Sequence, residues 1–234
     1  MTTPPRALPE LMIDWTRQCA AVIPCFNEAG RIGAVVHAVR RFVPAVIVVD
    51  DGSADATAAE ARQAGAIVIR HSANRGKGCA LRSGWQESRR LGFSWVLSLD
   101  GDGQHAAADI PGFFQCAEQT GARLVIGNRM DRVAEMPLVR RWANRWMSRC
   151  LANLTGATVP DSQCGFRLAH LDTLLRLPLT SHRFVIESET LVAFLRAGGR
   201  VEFVPIEVIY GRGRSRISPW RDTWRWMRWR LNYG

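Results

Sequence analysis

The first hundred residues alternate between two hydrophobic periods. Residues 19–23 form a short apolar run that stops at Pro24, and residues 45–49 a β-rich run that stops at Asp50-Asp51-Gly52-Ser53. Residues 66–69 and 95–99 repeat the pattern, the second run ending at Asp100-Gly101-Asp102. Apolar runs of this length, bounded by turn residues, predict strands buried on both faces. Between them the period lengthens. Ile32, Val35, Val36 and Val39 share one face of a helix over 29–42, Asp55 can cap a helix through Ala64, and 78–90 predicts another. Later segments predict helices at 108–119, 136–154 (long, basic and amphipathic) and 187–197, with strands at 123–126 and 200–209. Strand and helix alternating through short connections predict an α/β fold with a mostly parallel central sheet and helices on both faces. No repeat or linker interrupts the pattern. The expected layout is an N-terminal extension (1–18), one catalytic domain (19–210) and a basic Trp/Arg-rich loop and helix (211–234).

In parallel sheets, ligands bind beyond the carboxyl ends of the strands. Four polar clusters fall there: Pro24-Cys25-Phe26-Asn27-Glu28, Asp50-Asp51-Gly52-Ser53, Asn74-Arg75-Gly76-Lys77-Gly78 and Asp100-Gly101-Asp102-Gly103-Gln104-His105. Each has a plain structural reading as turn chemistry, helix capping or a glutamate favoured by a helix dipole. Four at one edge describe a site. Phe26 could stack on a base, Glu28 could bond a ribose hydroxyl, and Asp51 could read a base edge or ribose. The glycines around Lys77 could bring backbone amides to a phosphate, with the lysine adding charge. Alternation sends Asp100, Asp102 and Gln104 to one side of their strand end, and hard oxygen ligands suit Mg2+ or Mn2+. Neither a Walker sequence nor a convincing Gly-x-Gly-x-x-Gly follows a strand, which argues against P-loop phosphoryl transfer and dinucleotide dehydrogenation.

Composition narrows the field. A hydrophobic content of 47% with mixed charge excludes overall disorder. No apolar run reaches membrane-spanning length and residues 1–14 lack a secretion-signal pattern, so the expected location is cytoplasmic. Six cysteines without a Cys-x-x-Cys pair fit reduced thiols. The net charge of +10 points to an anionic partner. Arg212, Arg214, Arg216, Arg221, Arg225, Arg228 and Arg230 crowd the end, interleaved with Trp220, Trp224, Trp226 and Trp229. No nucleic-acid-binding signature accompanies them, so no nucleic acid partner is expected. On an ideal helix Trp220, Trp224, Met227 and Leu231 share a stripe beside Arg221, Arg225 and Arg228. That stripe suits a lipid headgroup boundary, or packing on the domain or a partner subunit.

Taken in order, Ala21-Val22-Ile23-Pro24-Cys25-Phe26-Asn27-Glu28, Val48-Val49-Asp50-Asp51-Gly52-Ser53, Asn74-Arg75-Gly76-Lys77-Gly78 and the Asp100–His105 cluster resemble family 2 glycosyltransferases of the GT-A fold. More narrowly, the chain resembles the dolichyl-phosphate mannose synthase and polyprenyl-phosphate glycosyltransferase group. Gly127-Asn128-Arg129 is similar to that group's Gly-x-Arg, and Asp161-Ser162-Gln163-Cys164-Gly165-Phe166-Arg167 to its Ser-Gly-Phe-Arg segment. Arg212-Gly213-Arg214-Ser215-Arg216 is similar to its Arg-x-x-Ser-Lys loop, so the resemblance spans residues 20–216. Phe26 stands where the family often has tyrosine, and Arg216 where it often has lysine. The resemblance implies that Pro24, Phe26, Glu28 and Asp51 hold the nucleoside, with Lys77 and Gly101 also on the nucleotide-sugar side. It implies catalysis by Asp100, Asp102 and Arg129, with Asp100 also contacting the sugar or ribose. Asp102 and Gln104 would ligate Mg2+ or Mn2+, and Arg129, Arg212 and Arg216 would bind phosphates. Apart from the resemblance, the basic stretch Arg129, Arg132, Arg140, Arg141, Arg145 and Arg149 suits an anionic acceptor, which Arg141 and Ser215 would meet.

The implied reaction is inverting transfer of a hexose from a nucleoside-diphosphate sugar, of GDP-mannose or UDP-glucose type, to a polyprenyl phosphate. A phosphate monoester, with a second pKa of about 6, needs no general base. The alternative acceptor is a hydroxyl on a sugar or other lipid, with Glu187, Glu189 or Asp161 as base. Nucleotidyl transfer would differ in the product released. The expected place of work is the cytoplasmic face of the membrane, reached through the C-terminal tail, with a homo-oligomer possible.

Overall fold

The computed structural model describes residues 13–130, 138–209 and 219–232. Its strands are β1 (Cys19–Cys25), β2 (Val46–Asp50), β3 (Ile67–Arg70), β4 (Trp95–Ser98), β5 (Leu124–Asn128), β6 (Arg167–His170) and β7 (Val201–Pro205). They form one sheet in the order β3-β2-β1-β4-β6-β5-β7. Every pairing is parallel except those of β6, which runs antiparallel to β4 and β5. The helices that cover it are α1 (Trp15–Gln18), α2 (Ile32–Arg40), α3 (Thr57–Gln63), α4 (Lys77–Arg90), α5 (Ile110–Thr120), α6 (Leu138–Thr155), α7 (Leu171–Leu175), α8 (Ile186–Arg196) and α9 (Pro219–Asn232).

The expected elements form close to their predicted bounds. Helices α1 and α7 lie outside those expectations, and two further differences have a clear cause. The predicted strand over 200–209 ends at Pro205, after which the chain turns to cross the mouth of the sheet. Strand β6 carries no sequence signal, because its four residues include a buried arginine. That burial is tolerated because Arg167 donates to three carbonyls: Cys164 at 2.7 Å, Glu187 at 2.6 Å and Ser162 at 2.9 Å.

The core sits along β1, whose residues Cys19, Ala20, Ala21, Val22 and Ile23 are fully buried. α4 approaches this strand closely because Gly84 has no side chain; a Cβ there would lie 2.3 Å from Val22 Cγ1. The last residues of the predicted N-terminal extension are packed onto the domain. Trp15 stacks on Phe114 at 4.4 Å, meets Trp95 edge-on and donates from Nε1 to Glu118 at 2.6 Å. All six cysteines are free thiols, and four are buried. Burial pushes the Cys164 thiol up to about 12.

After β1 the chain builds β2 and β3 on one side, then returns to place β4 on the other. The order therefore reverses between β1 and β4, which opens a crevice at their carboxyl ends. The carboxyl ends of the parallel strands share this edge. Reversed β6 contributes its beginning instead, with Arg167 paired opposite Ser98 and Ile126.

Gly84→Ala should destabilise the fold by about 1–3 kcal/mol despite alanine's better helix propensity, because the added methyl overpacks Val22. Gly33→Ala in α2, where a Cβ meets nothing within 4 Å, should be neutral or stabilise by up to about 1 kcal/mol. Urea denaturation of both variants measures the contrast.

Candidate active site

The loops after β1 and β2 form one unit. Asn27 adopts left-handed backbone (φ 52°), a conformation asparagine tolerates better than most residues. Its N–H donates to Ser53 Oγ and its Oδ1 accepts from Ala54 N–H, both at 2.8 Å. The Glu28 amide donates to Thr57 Oγ1 at 2.8 Å. Along this rim Pro24 is half-buried, Phe26 is 37% exposed, and Glu28 is largely buried with Arg31 at 3.0 Å. Asp51 is placed differently from a free nucleoside-reading carboxylate. It is buried, accepts from His71 Nδ1 at 2.7 Å and from the amides of Arg75 and Gly76 at 2.9 and 2.7 Å, and so shapes the loop after β3.

The amides of Gly76 and Gly78, read from the sequence as able to approach a phosphate, bond within the protein, and the glycines admit another stretch of backbone. Gly78 N–H donates to His182 O at 2.9 Å, and Gly76 N–H is held by Asp51. A Cβ on Gly76 would lie 2.4 Å from His182 O, and one on Gly78 2.4 Å from Ser181 O. Gly76 also takes φ +93°, which L side chains rarely adopt. Lys77 turns inward as well. Its Nζ lies 2.5 Å from Asp100 Oδ1 and 2.6 Å from Glu187 Oε1. Burial disfavours the ammonium, but the two carboxylates outweigh it and raise the lysine pKa.

The loop after β4 is pinned on every side. Burial opposes ionisation of Asp100, yet Lys77 overrides it and holds the carboxyl at about 2. Gly101 lies where a Cβ would come 2.5 Å from Cys25 Sγ, so the ends of β1 and β4 touch there. Asp102 accepts from Gln104 N–H at 3.0 Å, and its pKa is raised by burial and then by the neighbouring Asp100. Gln104 O accepts from Ile209 N–H at 2.9 Å, and His105 bridges to Val208. The His105 ring stacks on Phe166 and accepts from Asp100 N–H at 3.3 Å, and burial lowers its pKa. Gly165 completes the cluster. A Cβ there would fall 2.8 Å from Lys77 Nζ and 2.9 Å from Asp100 Oδ2, so only glycine leaves the ion pair room.

Arg129 follows β5 and is clamped rather than open. Its Nε and Nη2 donate to the two oxygens of buried Asp161 at 2.8 and 2.9 Å, and its amide adds a bond at 3.1 Å. Asn144 Nδ2 and Gln163 N–H also donate to Asp161. Burial penalises both charges, but the pair prevails: the Asp161 pKa falls and the Arg129 pKa rises. Even so clamped, Arg129 adds positive potential at Asp100. Glu189 is fully committed, accepting from Thr180 N–H and Oγ1 and from Ser181 N–H. Glu187 Oε2 and Arg141 Nε are buried and make no hydrogen bond. Arg212, Ser215 and Arg216 lie outside the described residues. Among the described residues, no three His, Cys, Asp or Glu side chains cluster for metal binding.

The structure thus gathers Pro24, Phe26, Glu28, Asp100, Gly101, Asp102 and Gln104 around the crevice between β1 and β4. Sequence reasoning missed the supporting roles of His105, Gly165 and Asn144. It named Glu187 and Asp161 only as alternative bases. Their partnerships with Lys77 and Arg129 join residues far apart in the chain, which no local pattern announces.

The profile of glycosyl transferase family 2 matches residues 20–172. The chain is 31% identical to the UDP-N-acetylglucosamine–dolichyl-phosphate N-acetylglucosaminyltransferase of Methanococcus voltae, over 81% of this chain and 84% of that one. It is 27% identical to the polyprenol monophosphomannose synthase of Mycolicibacterium smegmatis, over 71% and 66% of the two chains. Its fold matches glucosyl-3-phosphoglycerate synthase of Mycobacterium tuberculosis, crystallised with Mn2+, UDP-glucose and phosphoglyceric acid. That match has a TM-score of 0.73 at 22% identity and covers 92% of this chain and 80% of the other. With its strand-end loops placed as described, the chain is a glycosyltransferase of the GT-A fold and belongs to glycosyl transferase family 2.

Proposed function

We propose that the chain transfers a hexose from a nucleoside-diphosphate sugar, of GDP-mannose or UDP-glucose type, to a dolichyl or undecaprenyl phosphate, inverting the anomeric centre. The observation that carries this reading is the state of the three carboxylates that could deprotonate a hydroxyl acceptor. Asp161 is clamped by Arg129, Glu189 accepts three hydrogen bonds, and Glu187 is ion-paired with Lys77. A site without a ready base suits an acceptor that arrives ionised, as a phosphate monoester does. The relatives named for dolichyl-phosphate and polyprenol transfer support the same acceptor class.

A divalent cation fits the donor set. Asp102 is a carboxylate whose ionisation is opposed by burial and then by its neighbour Asp100, a repulsion that a cation would relieve, and Gln104, two residues on, carries a side-chain amide oxygen. Mg2+ commonly takes one or two carboxylates together with substrate phosphates, so the lack of a three-residue cluster is no obstacle. Asp102 and Gln104 would hold Mg2+ or Mn2+, which when bound neutralises the departing nucleoside diphosphate. The protein supplies the rest. Phe26 offers a ring for the base at the rim. Asp100, kept ionised by Lys77, presents a fixed negative charge beside the sugar. Arg129 sets the positive potential, and Arg141, whose Nε lacks a partner, faces the acceptor phosphate. Arg212, Arg216 and Ser215 belong to the same reading as phosphate- and acceptor-binding groups. The work is placed at the cytoplasmic face of the membrane, where a lipid-linked acceptor is found.

Asp102→Ala should lower kcat by at least about 100-fold at saturating Mn2+ while leaving the fold intact. Transfer of labelled sugar to a short-chain polyprenyl phosphate measures it, and retained turnover removes Asp102 from the metal. Arg141→Ala should raise the acceptor KM about tenfold with donor affinity unchanged, as expected for one charged hydrogen bond. Glu187→Gln should lower kcat by less than about tenfold. A loss of about 100-fold or more with nucleotide-sugar binding and the unfolding midpoint unchanged would identify a general base and return the acceptor to a hydroxyl.

A further inference from the structure

Helices α6 and α9 are seated on the same internal cluster. α6 turns Asn144, Met147, Ser148 and Leu151 inward, and Ser148 Oγ bonds Ser162 Oγ at 3.1 Å. α9 turns Trp226 inward, 2% exposed, with its Nε1 donating to Ser188 Oγ at 2.9 Å. Gln163 bonds both Ser162 and Ser188, so one hydrogen-bonded set supports both helices. The helices also touch directly, through Trp146 and Trp226 with ring centres 5.3 Å apart.

Their outer faces therefore point away from that support together. On α6 the outer face carries Leu138, Val139 and Trp142 (75% exposed), a helical stripe opposite the buried one. On α9 it carries Trp224, Met227 and Leu231 (83% exposed), at spacings of three and four. Large apolar side chains at this exposure, adjoining on two helices, mark an interaction surface. The charge beside them identifies the partner. α6 contains four arginines and no carboxylate, and α9 four arginines and one aspartate. Arg145, Arg149, Arg225 and Arg228 are exposed, and the Arg228 guanidinium lies over the Trp224 ring at 5.8 Å. Among the described residues no helix is long and apolar enough to cross a membrane. Tryptophan and aliphatic side chains interleaved with arginine, on helices too polar to span, match the plane of an anionic headgroup layer.

We propose that the paired outer faces of α6 and α9 form one docking surface for an anionic lipid bilayer, with Trp142 of α6 as a principal contact. The C-terminal helix is then half of the surface rather than a separate anchor. Ser188, which holds Trp226, follows Glu187, which holds Lys77, so α8 supports both the helix pair and the charged cluster of the site. This inference deepens the membrane-surface part of the proposed function. Its test needs neither donor nor turnover, so it can fail while the transfer assay succeeds.

Flotation with vesicles rich in phosphatidylglycerol, against vesicles of phosphatidylcholine alone, tests it on the full chain. Binding should require the anionic lipid. Val139→Ser/Trp142→Ser on α6 and Trp224→Ser/Met227→Ser on α9 should each weaken it about tenfold or more. Both pairs change exposed side chains, so the unfolding midpoint and nucleotide-sugar binding should stay at their original values, and these measurements confirm that the variants are folded. Undiminished flotation of the α6 variant would overturn the proposal and leave the tail as sole anchor. Equal binding to neutral vesicles would overturn the arginine argument. A soluble dimer dissociated by the same substitutions would assign the face to a second copy of the chain and overturn it also.

Discussion

A buried ammonium between two carboxylates ties the two halves of this protein together. Lys77 enters from the first turn of α4, Asp100 from the end of β4 and Glu187 from the first turn of α8. Three segments remote in sequence converge on one positive charge. Placing a charge there is costly unless each partner is present and close, and removing one partner of a buried pair typically costs about 3–5 kcal/mol. The surrounding backbone is shaped to the same end. Gly165 leaves room above the ion pair, Gly76 and Gly78 let residues 181–182 press against the start of α4, and that contact sets where α8 begins.

From this constraint follows the division of labour around the crevice. The network of Lys77, Arg129, Asp51 and Asp161 fixes positions and sets the field. The side chains left nearer the opening, Phe26, Asp102 and Gln104, can meet a ligand. Asp100 belongs to both groups, since its partner is internal but its position is at the rim. A site built so is preorganised: its dipoles and charges are oriented by folding and need little rearrangement when charge develops on a leaving group. His105 shows how far this extends. Its ring plugs the turn between the acidic loop and the segment after β7.

The sequence made the parallel half of the sheet and the polar strand ends readable, because buried parallel strands leave uninterrupted apolar runs and their loops carry distinctive residues. It also made the order of the motifs readable, which pointed to the family. Less was legible where a residue's task depends on a distant partner. Lys77 beside two glycines resembles a phosphate loop, and only the proximity of Glu187 and the backbone at 182 shows why those glycines are there. Arg129 looks open in sequence and is clamped in space by Asp161. Strand β6 escaped because its apolar signal is short and its arginine is satisfied by carbonyls from three other places. The tail divides between its two readings: Trp226 packs inward, while Trp224 and Leu231 face out.

Strands β5 and β6 are antiparallel neighbours, a relationship that a hairpin of two residues would satisfy. Instead the chain leaves the sheet after Asn128 and does not rejoin it until Arg167, building α6 and the Asp161 clamp on the way. Nothing in the strand order requires that excursion, so its length and make-up can vary without rewiring the sheet. Strand order alone therefore fixes the crevice, while the stretch between β5 and β6 reaches back to it through side chains, Asp161 against Arg129 and the bare Gly165 beside Lys77.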